Sequence, residues 1–334
     1  MKAIQMTQQG GPDVLQLVDV PDPVPGQGQV VVRVQAAAVN FSDVMRRRGD
    51  VYPVPTPVPF VPGAEVAGTV VAVGGGVDNL PIGTPVFGTV GNDASGGYAE
   101  LAVAWSGSLI PIPPGLSPDS AAGIVVSGLA AAIMLDEVAH LRPGETVFVP
   151  AAAGGVGSYA VQIAKLKGAT VIAGAATAAK REIALRLGAD HAVDYTAPNW
   201  TDQVLELTGG RGVDVALEMT GPARVMETLT ILAPFARVVV YGSVSGTVEG
   251  LDPAALKPLL YDPAPSQALI GFNLGIWFEH RLADAGAALQ RLVGWVASGA
   301  ISVPEIHTLP LAEAAEAHRR LEKGVTSGKL VLKP

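Results

Sequence analysis

The chain of 334 residues contains no cysteine, which excludes a disulfide framework, a thiolate metal site and a thiol nucleophile. Its five histidines, His140, His191, His280, His307 and His318, fall at no ligand-like spacing, so no metal is expected. Positive charge is scarce. With 22 Lys and Arg against 30 Asp and Glu the net charge is -8, and no basic stripe interleaved with aromatics occurs. That balance repels a phosphate backbone and argues against a nucleic-acid partner. The N-terminal Met1-Lys2-Ala3-Ile4-Gln5-Met6-Thr7 lacks the apolar region of a signal peptide. The longest small or apolar run, Ala121 to Leu135, is too short to span a bilayer and includes Ser127. A cytoplasmic protein with no membrane partner is expected. There is no internal repeat and no low-complexity tract. With 49% hydrophobic and 16% charged residues, the chain is too apolar for disorder and long enough to bury two cores.

Up to about Ser117 the pattern is one of short β runs cut by Gly and Pro: Val30 to Val34, Gly68 to Val73, Pro85 to Gly88 and Tyr98 to Ala102. This predicts a strand-rich, barrel-like domain. From Pro118 the rhythm changes to strands alternating with helical segments, which predicts parallel βαβ units with right-handed crossovers. The expected strands are Thr146 to Pro150, Thr170 to Gly174, His191 to Asp194, Val213 to Glu218, Arg237 to Tyr241 and Ala268 to Phe272. Two helices follow, Arg281 to Ser298 and Leu311 to Lys323, the second ended by Gly324. The final strand, Lys329 to Leu332, needs a partner. Rejoining the N-terminal domain would make the dinucleotide unit an insertion, with residues 1–117 and 275–334 forming one domain and 118–274 the other.

The sharpest motif runs from Thr146 through Ala151-Ala152-Ala153-Gly154-Gly155-Val156-Gly157 into a helical segment ending near Gly168. A buried strand, a tight Gly turn and a helix N-terminus are the parts a pyrophosphate needs, because free backbone N–H groups and the positive end of the helix dipole converge there. Gly154 permits close approach and Gly157 close helix packing, while Ala152 replaces the first glycine of the usual fingerprint. An NAD enzyme usually carries Asp or Glu about 20 residues downstream. Here that stretch reads Ala173-Gly174-Ala175-Ala176-Thr177-Ala178-Ala179-Lys180-Arg181, with two cations and no acid. This composition favours NADPH, whose 2'-phosphate a cation attracts.

Together with that turn, Ala36-Ala37-Ala38-Val39-Asn40-Phe41-Ser42-Asp43, Gly49-Asp50-Val51-Tyr52-Pro53 and Pro62-Gly63-Ala64-Glu65-Val66-Ala67-Gly68 resemble the medium-chain dehydrogenase/reductase superfamily, in particular its zinc-free quinone oxidoreductase group. The resemblance covers nearly the whole chain. It implies an α/β fold: a Rossmann doubly wound parallel sheet inserted in a GroES-like barrel domain. Zinc-dependent relatives carry a metal-binding His just before the Glu of the Pro62–Gly68 segment and a catalytic Cys near Asn40; here Ala64 stands in the first place and the chain has no Cys. The implied activity is NADPH-dependent reduction of quinones or polarised C=C bonds, in a homodimer. The family also places a Lys and a Tyr near the 2'-phosphate, matched by Lys180 and Tyr195, and a Gly-Lys cofactor contact, matched by Gly328-Lys329. Thr177, Gly242, Ser243, Phe272, Asn273 and Leu274 lie where the family lines the cofactor groove. For Phe272 and Leu274 the side chains read as core and the backbone as the contact. The chain departs from the family at Ala130 and Met45, where a Thr and a Tyr are common, and Tyr52 falls about one residue late. The segment Leu251 to Ala268 is longer than in compact members.

Conjugate reduction requires a hydride, donors for the developing oxygen charge and a proton source. Asn40 is the expected donor to the acceptor carbonyl and Tyr52 the expected proton source, with Asp43 beside them. Asn40 and Asp43 can equally brace a helix start, and Tyr52 can be a loop anchor. Glu65 reads as a remnant of the lost metal site, paired with a buried cation and without a catalytic role. Two alternatives stay open: a 2-enoyl thioester reductase, for which Arg46-Arg47-Arg48 is the one candidate carrier-phosphate patch, and a non-catalytic NADPH-binding sensor or partner protein.

Overall fold

The computed structural model describes residues 1–245 and 266–334, together with Ala254, Lys257 and Leu259. The long segment Leu251 to Ala268 therefore lies largely outside the described residues. The chain divides into two compact units, Met1–Val126 with Val303–Pro334, and Ser127–Ser302.

In the first unit, β1 (Lys2–Gln5) pairs antiparallel with β2 (Gln16–Asp19). The main sheet is built on β3 (Gln29–Ala38), β4 (Glu65–Val73), β5 (Pro85–Thr89), β6 (Leu101–Trp105) and β7 (Leu109–Pro111). β3 is central, antiparallel to both β4 and β6. Valine repeats at every second position, so Val30, Val32 and Val34 turn one face into a core with Val66, Val70, Val86 and Tyr98. The expected strand at Tyr98 begins three residues later. Tyr98 itself closes a turn: its N–H donates to the Pro62 carbonyl and its carbonyl accepts from Ile4, while its ring is fully buried. A helix, Phe41–Arg48, follows β3 directly.

In the second unit, β8 (Thr146–Val149), β9 (Thr170–Gly174), β10 (His191–Val193), β11 (Val213–Glu218), β12 (Leu232–Val240) and β13 (Ala268–Gly271) form one parallel sheet in the order β10-β9-β8-β11-β12-β13. The strand order reverses between β8 and β11, the place where doubly wound sheets open a crevice at their carboxyl ends. β11 is buried at every residue, as a strand covered on both faces must be. On one face Phe148 stacks on Trp200 at 5.1 Å, packed by Ile172, Val204 and Val238. β12 starts five residues before the expected strand. Pro234 and the positive φ of Phe235 interrupt the β pattern there, and the register on β11 shifts across that stretch.

The helices Leu274–His280 and Leu282–Ala297 group with the second unit, whereas the sequence reading placed residues from 275 onward with the first. Ala285 and Ala288 pack against Leu129 and Ile133, with Phe272, Leu274 and Trp277 around them, and this contact decides the grouping. The chain then returns to the first unit through β14 (Ile306–Pro310), a turn at Leu311–Glu313, the helix Ala314–Glu322 and β15 (Lys329–Lys333). β15 lies parallel to β14 and antiparallel to β3, so the last strand does rejoin the N-terminal sheet.

Candidate active site

In the first unit, the chain leaves β3 at Asn40, the residue that precedes the helix Phe41–Arg48. The Asp43 carboxylate braces this start: Oδ2 accepts the Asn40 backbone N–H at 2.8 Å and the Tyr98 hydroxyl at 3.2 Å, and Oδ1 accepts the Gly63 N–H at 3.2 Å. Asp43 thus ties together three segments from inside the protein, 2% exposed. Burial pushes its pKa up to about 6, against the pull of these donors and of Lys329. Tyr98 also shares a 3.2 Å hydrogen bond with His318 Nε2; burial and the nearby Arg47 push this histidine down to about 3, so it is neutral.

Asn40 is held by two opposite charges. Lys329 Nζ donates to its Oδ1, and its Nδ2 donates to Glu65 Oε1 at 3.1 Å. Glu65 is fully buried; it forms an ion pair with Lys329 at 3.1 Å and accepts the Val126 N–H at 2.7 Å. The expected buried partner of Glu65 is therefore Lys329. The backbone of Gly328 makes that placement possible, since a Cβ there would sit 2.0 Å from the Glu305 carbonyl oxygen. A zinc ion does not fit this place: Ala64 offers no ligand, and the Glu65 carboxylate is engaged by an ammonium, an amide and a backbone N–H. Among the described residues no cluster of three or more His, Cys, Asp or Glu is arranged to hold a metal ion.

Tyr52 lies on the loop after that helix, its ring 5.4 Å from the Arg46 guanidinium. It shares a side-chain hydrogen bond with Ser42, and burial raises its pKa above 10. Arg46 fixes the loop through the Pro55 and Asp93 carbonyls, Thr56 and the Asp93 carboxylate. The Arg46-Arg47-Arg48 run is thus no surface patch for a carrier phosphate. Arg46 and Arg47 are 2% and 1% exposed, Arg47 pairs with Glu322, and Arg48 pairs with Asp50. Sequence reasoning passed over Arg46 and Tyr98 because a charge run and a strand aromatic look ordinary.

In the second unit, β8 leads into a turn at Ala151 to Gly154 and then the helix Gly155–Leu166, whose N-terminus has no side-chain cap. Its first-turn N–H groups therefore open onto the carboxyl end of the sheet. A Cβ on Gly157 would stand 2.4 Å from the Ala151 carbonyl oxygen, and one on Gly154 would stand 3.2 Å from the same oxygen. Only glycine lets the turn fold so tightly against the helix, and this cradle fits a pyrophosphate. Ala152 and Ala153 are buried beneath it.

At the end of β9, Thr177 caps the helix Ala178–Arg186 by accepting the Lys180 N–H, and burial lowers the pKa of half-buried Lys180. Arg181 is engaged elsewhere, with the Ala175 carbonyl and Asp194. Tyr195 lies against Gly174, where a Cβ would touch its ring at 3.2 Å. Gly242 and Ser243 follow β12 in a loop pinned to the one after β11 by Val244 and Ser245 N–H bonds to Met219 and Thr220 carbonyls. Phe272 and Leu274 pack in the helical core, the Phe272 N–H extends the sheet to Val240, and the Asn273 side chain caps the next helix by accepting from Gly275.

Residues 26–114 match the alcohol dehydrogenase GroES-like domain family, and residues 155–264 match the zinc-binding dehydrogenase family. Over its whole length the chain is 35% identical to a quinone oxidoreductase of Pseudomonas aeruginosa, covering 99% of that protein. It is 31% identical to a 2-haloacrylate reductase of a Burkholderia species over 98% of this chain and 97% of that one. The crystal structure of an Escherichia coli quinone oxidoreductase complexed with NADPH superposes with a TM-score of 0.91 at 30% identity, covering all of both chains.

Proposed function

The chain belongs to the medium-chain dehydrogenase/reductase superfamily, in its quinone oxidoreductase group, and on that premise we propose an NADPH-dependent reductase of quinones or α,β-unsaturated carbonyl compounds. The observation that carries the cofactor reading is the end of β9. The strand closes on Gly174 and Ala175 in place of an acid, with Lys180 presented by the next helix and Tyr195 against Gly174. A 2'-phosphate meets a cation there. The uncapped Gly155–Leu166 helix holds the pyrophosphate through backbone N–H groups. In this reading Ala153 to Gly157, Thr177, Lys180, Tyr195, Gly242, Ser243, the 272–274 backbone and Lys329 are cofactor contacts.

When bound, NADPH supplies the hydride. The protein's part is to hold the acceptor oxygen and deliver a proton. Asn40 has one Nδ2–H directed at Glu65, and its second Nδ2–H is the donor assigned to the acceptor carbonyl. Tyr52, whose raised pKa keeps it protonated through neutral pH, is assigned as the proton source. Asp43 touches neither substrate nor cofactor in this scheme; it positions Asn40 through the backbone. The first unit is then the catalytic domain and the second the dinucleotide-binding domain.

No helix among the described residues is long and apolar enough to cross a membrane, and a cytoplasmic location is part of the proposal. So is a homodimer, supported by β13, which stands last in its sheet with one edge open.

The test is the initial rate of NADPH oxidation with a 1,4-quinone and with a simple enone, beside NADH at equal concentration. Turnover of either acceptor with NADPH preferred is expected. Saturable NADPH binding without turnover would turn the reading to a non-catalytic NADPH-binding protein.

A further inference from the structure

Lys180 is the cation matched to the 2'-phosphate, and Arg181 is held by Asp194 and the Ala175 carbonyl. A third cation stands on the other side of Tyr195. The helix Pro222–Leu229 presents Arg224, whose guanidinium carbon lies 5.5 Å from the centroid of the Tyr195 ring and 5.5 Å from that of Trp200. Glu227 Oε2 accepts the Trp200 indole N–H at 2.7 Å and also a hydrogen bond from Arg224 Nη1. Two aromatic faces and a carboxylate thus fix the guanidinium before any ligand arrives. Its side chain is 25% exposed, so part of the fork faces solvent. A guanidinium has five N–H donors in a planar fork suited to phosphate, and the Glu227 bond accounts for one of them.

The other charges facing this place are already balanced. Asp194 is paired with Arg181, and the Glu218 carboxylate is buried and accepts from the Met219 and Thr220 N–H groups and the Thr228 hydroxyl. Glu227 is matched by Arg224 itself.

We propose that Arg224 is a specificity-determining residue that binds the 2'-phosphate of NADPH from the Tyr195 side, opposite Lys180. The proposal rests on the NADPH reading above. It also gives Tyr195 a definite task, as the platform between Gly174 and the guanidinium.

The experiment measures binding of 2',5'-ADP and of 5'-AMP to the full apo chain by calorimetry, for the unmodified protein, Arg224→Met and Arg224→Lys. Methionine keeps an apolar stem over the two rings. Arg224→Met is expected to weaken 2',5'-ADP binding by about tenfold or more, as loss of a charge-assisted hydrogen bond does. It should leave 5'-AMP within about twofold and lower the salt dependence for 2',5'-ADP alone. Arg224→Lys should restore part of the loss. Unchanged 5'-AMP affinity reports an intact site, so misfolding cannot imitate the result. Equal weakening of both nucleotides would make Arg224 an adenine or packing residue and overturn the proposal, as would no weakening of either. If the unmodified chain itself fails to prefer 2',5'-ADP, the NADPH reading falls and takes this proposal with it. A preference that survives in Arg224→Met sinks the role of Arg224 alone.

Discussion

Replacing Lys329 by Met should destabilise the first unit far more than loss of one surface cation would. Lys329 is 4% exposed, Glu65 is fully buried, and they meet at 3.1 Å. Removing the ammonium leaves the carboxylate with only the Asn40 amide and the Val126 N–H, inside a core that screens poorly. Breaking a buried pair from one side costs about 3–5 kcal/mol, whereas replacing both partners with neutral groups is often close to neutral. Lys329→Met and Glu65→Gln should therefore each cost about 3 kcal/mol or more, and the double variant much less than their sum, with a coupling of about 2–3 kcal/mol. Hydrogen exchange of the β3 and β15 amides, paired through Ala37–Leu332 and Ala38–Val331, reads the first unit by itself. This matters because a chain of two units need not unfold in one step. If Lys329→Met stayed within about 1 kcal/mol of the unmodified protein, or the two losses simply added, the ion pair would be peripheral and the argument about Asn40 would fail.

Asp43 should show a reversed pH dependence for a carboxylate. Its pKa is about 6 in the fold against 3.8 for the free group, so the folded chain binds the proton more tightly and this group adds stability as pH falls from 7 towards 4. At about 1.4 kcal/mol for each pH unit that is about 3 kcal/mol, measured as the difference in denaturant unfolding between the unmodified chain and Asp43→Asn at pH 7 and pH 4.5; a flat difference contradicts it. Gly157→Ala drives a methyl to 2.4 Å from the Ala151 oxygen and should weaken NADPH binding by at least tenfold, followed by nicotinamide fluorescence. Lys180→Ala should raise the KM for NADPH while sparing that for NADH, and an equal rise in both refutes its phosphate role. Phe235, 72% exposed at φ 65°, should gain about 0.5–1 kcal/mol on replacement by Gly, seen as a higher melting temperature.

The second unit was the more legible in sequence. A parallel sheet buried on both faces writes continuous apolar strands, and the Gly turn between β8 and its helix carries steric demands that glycine alone meets. What failed there was local: Pro234 and left-handed Phe235 hid the first half of β12. The first unit was harder, since short antiparallel strands alternate weakly and pair over long sequence separations. Asn40 was legible as a candidate but its partners were not. Lys329 stands 289 positions away and comes to it only through the pairing of β15 with β3. A terminal lysine reads as solvated until that strand is placed.

The arrangement also explains why Glu65 has a place in a site whose residues cannot hold zinc. A buried carboxylate without its metal needs another positive partner, and the Lys329 ammonium supplies one. Between the two charges the Asn40 amide has a single favourable orientation: Oδ1 faces the ammonium and Nδ2 faces the carboxylate, since a flip would set a carbonyl oxygen against a carboxylate and an N–H against an ammonium. Two buried charges thus fix which way one neutral side chain points. A substrate oxygen placed near Asn40 then meets a fixed N–H donor with no reorganisation, the property that makes hydrogen bonding effective against developing negative charge. The ion pair acts through Asn40 and need not touch the substrate. For that reason Glu65→Gln, which keeps an acceptor for Nδ2 but removes the charge that polarises the assignment, should lower kcat more than it alters KM for the acceptor.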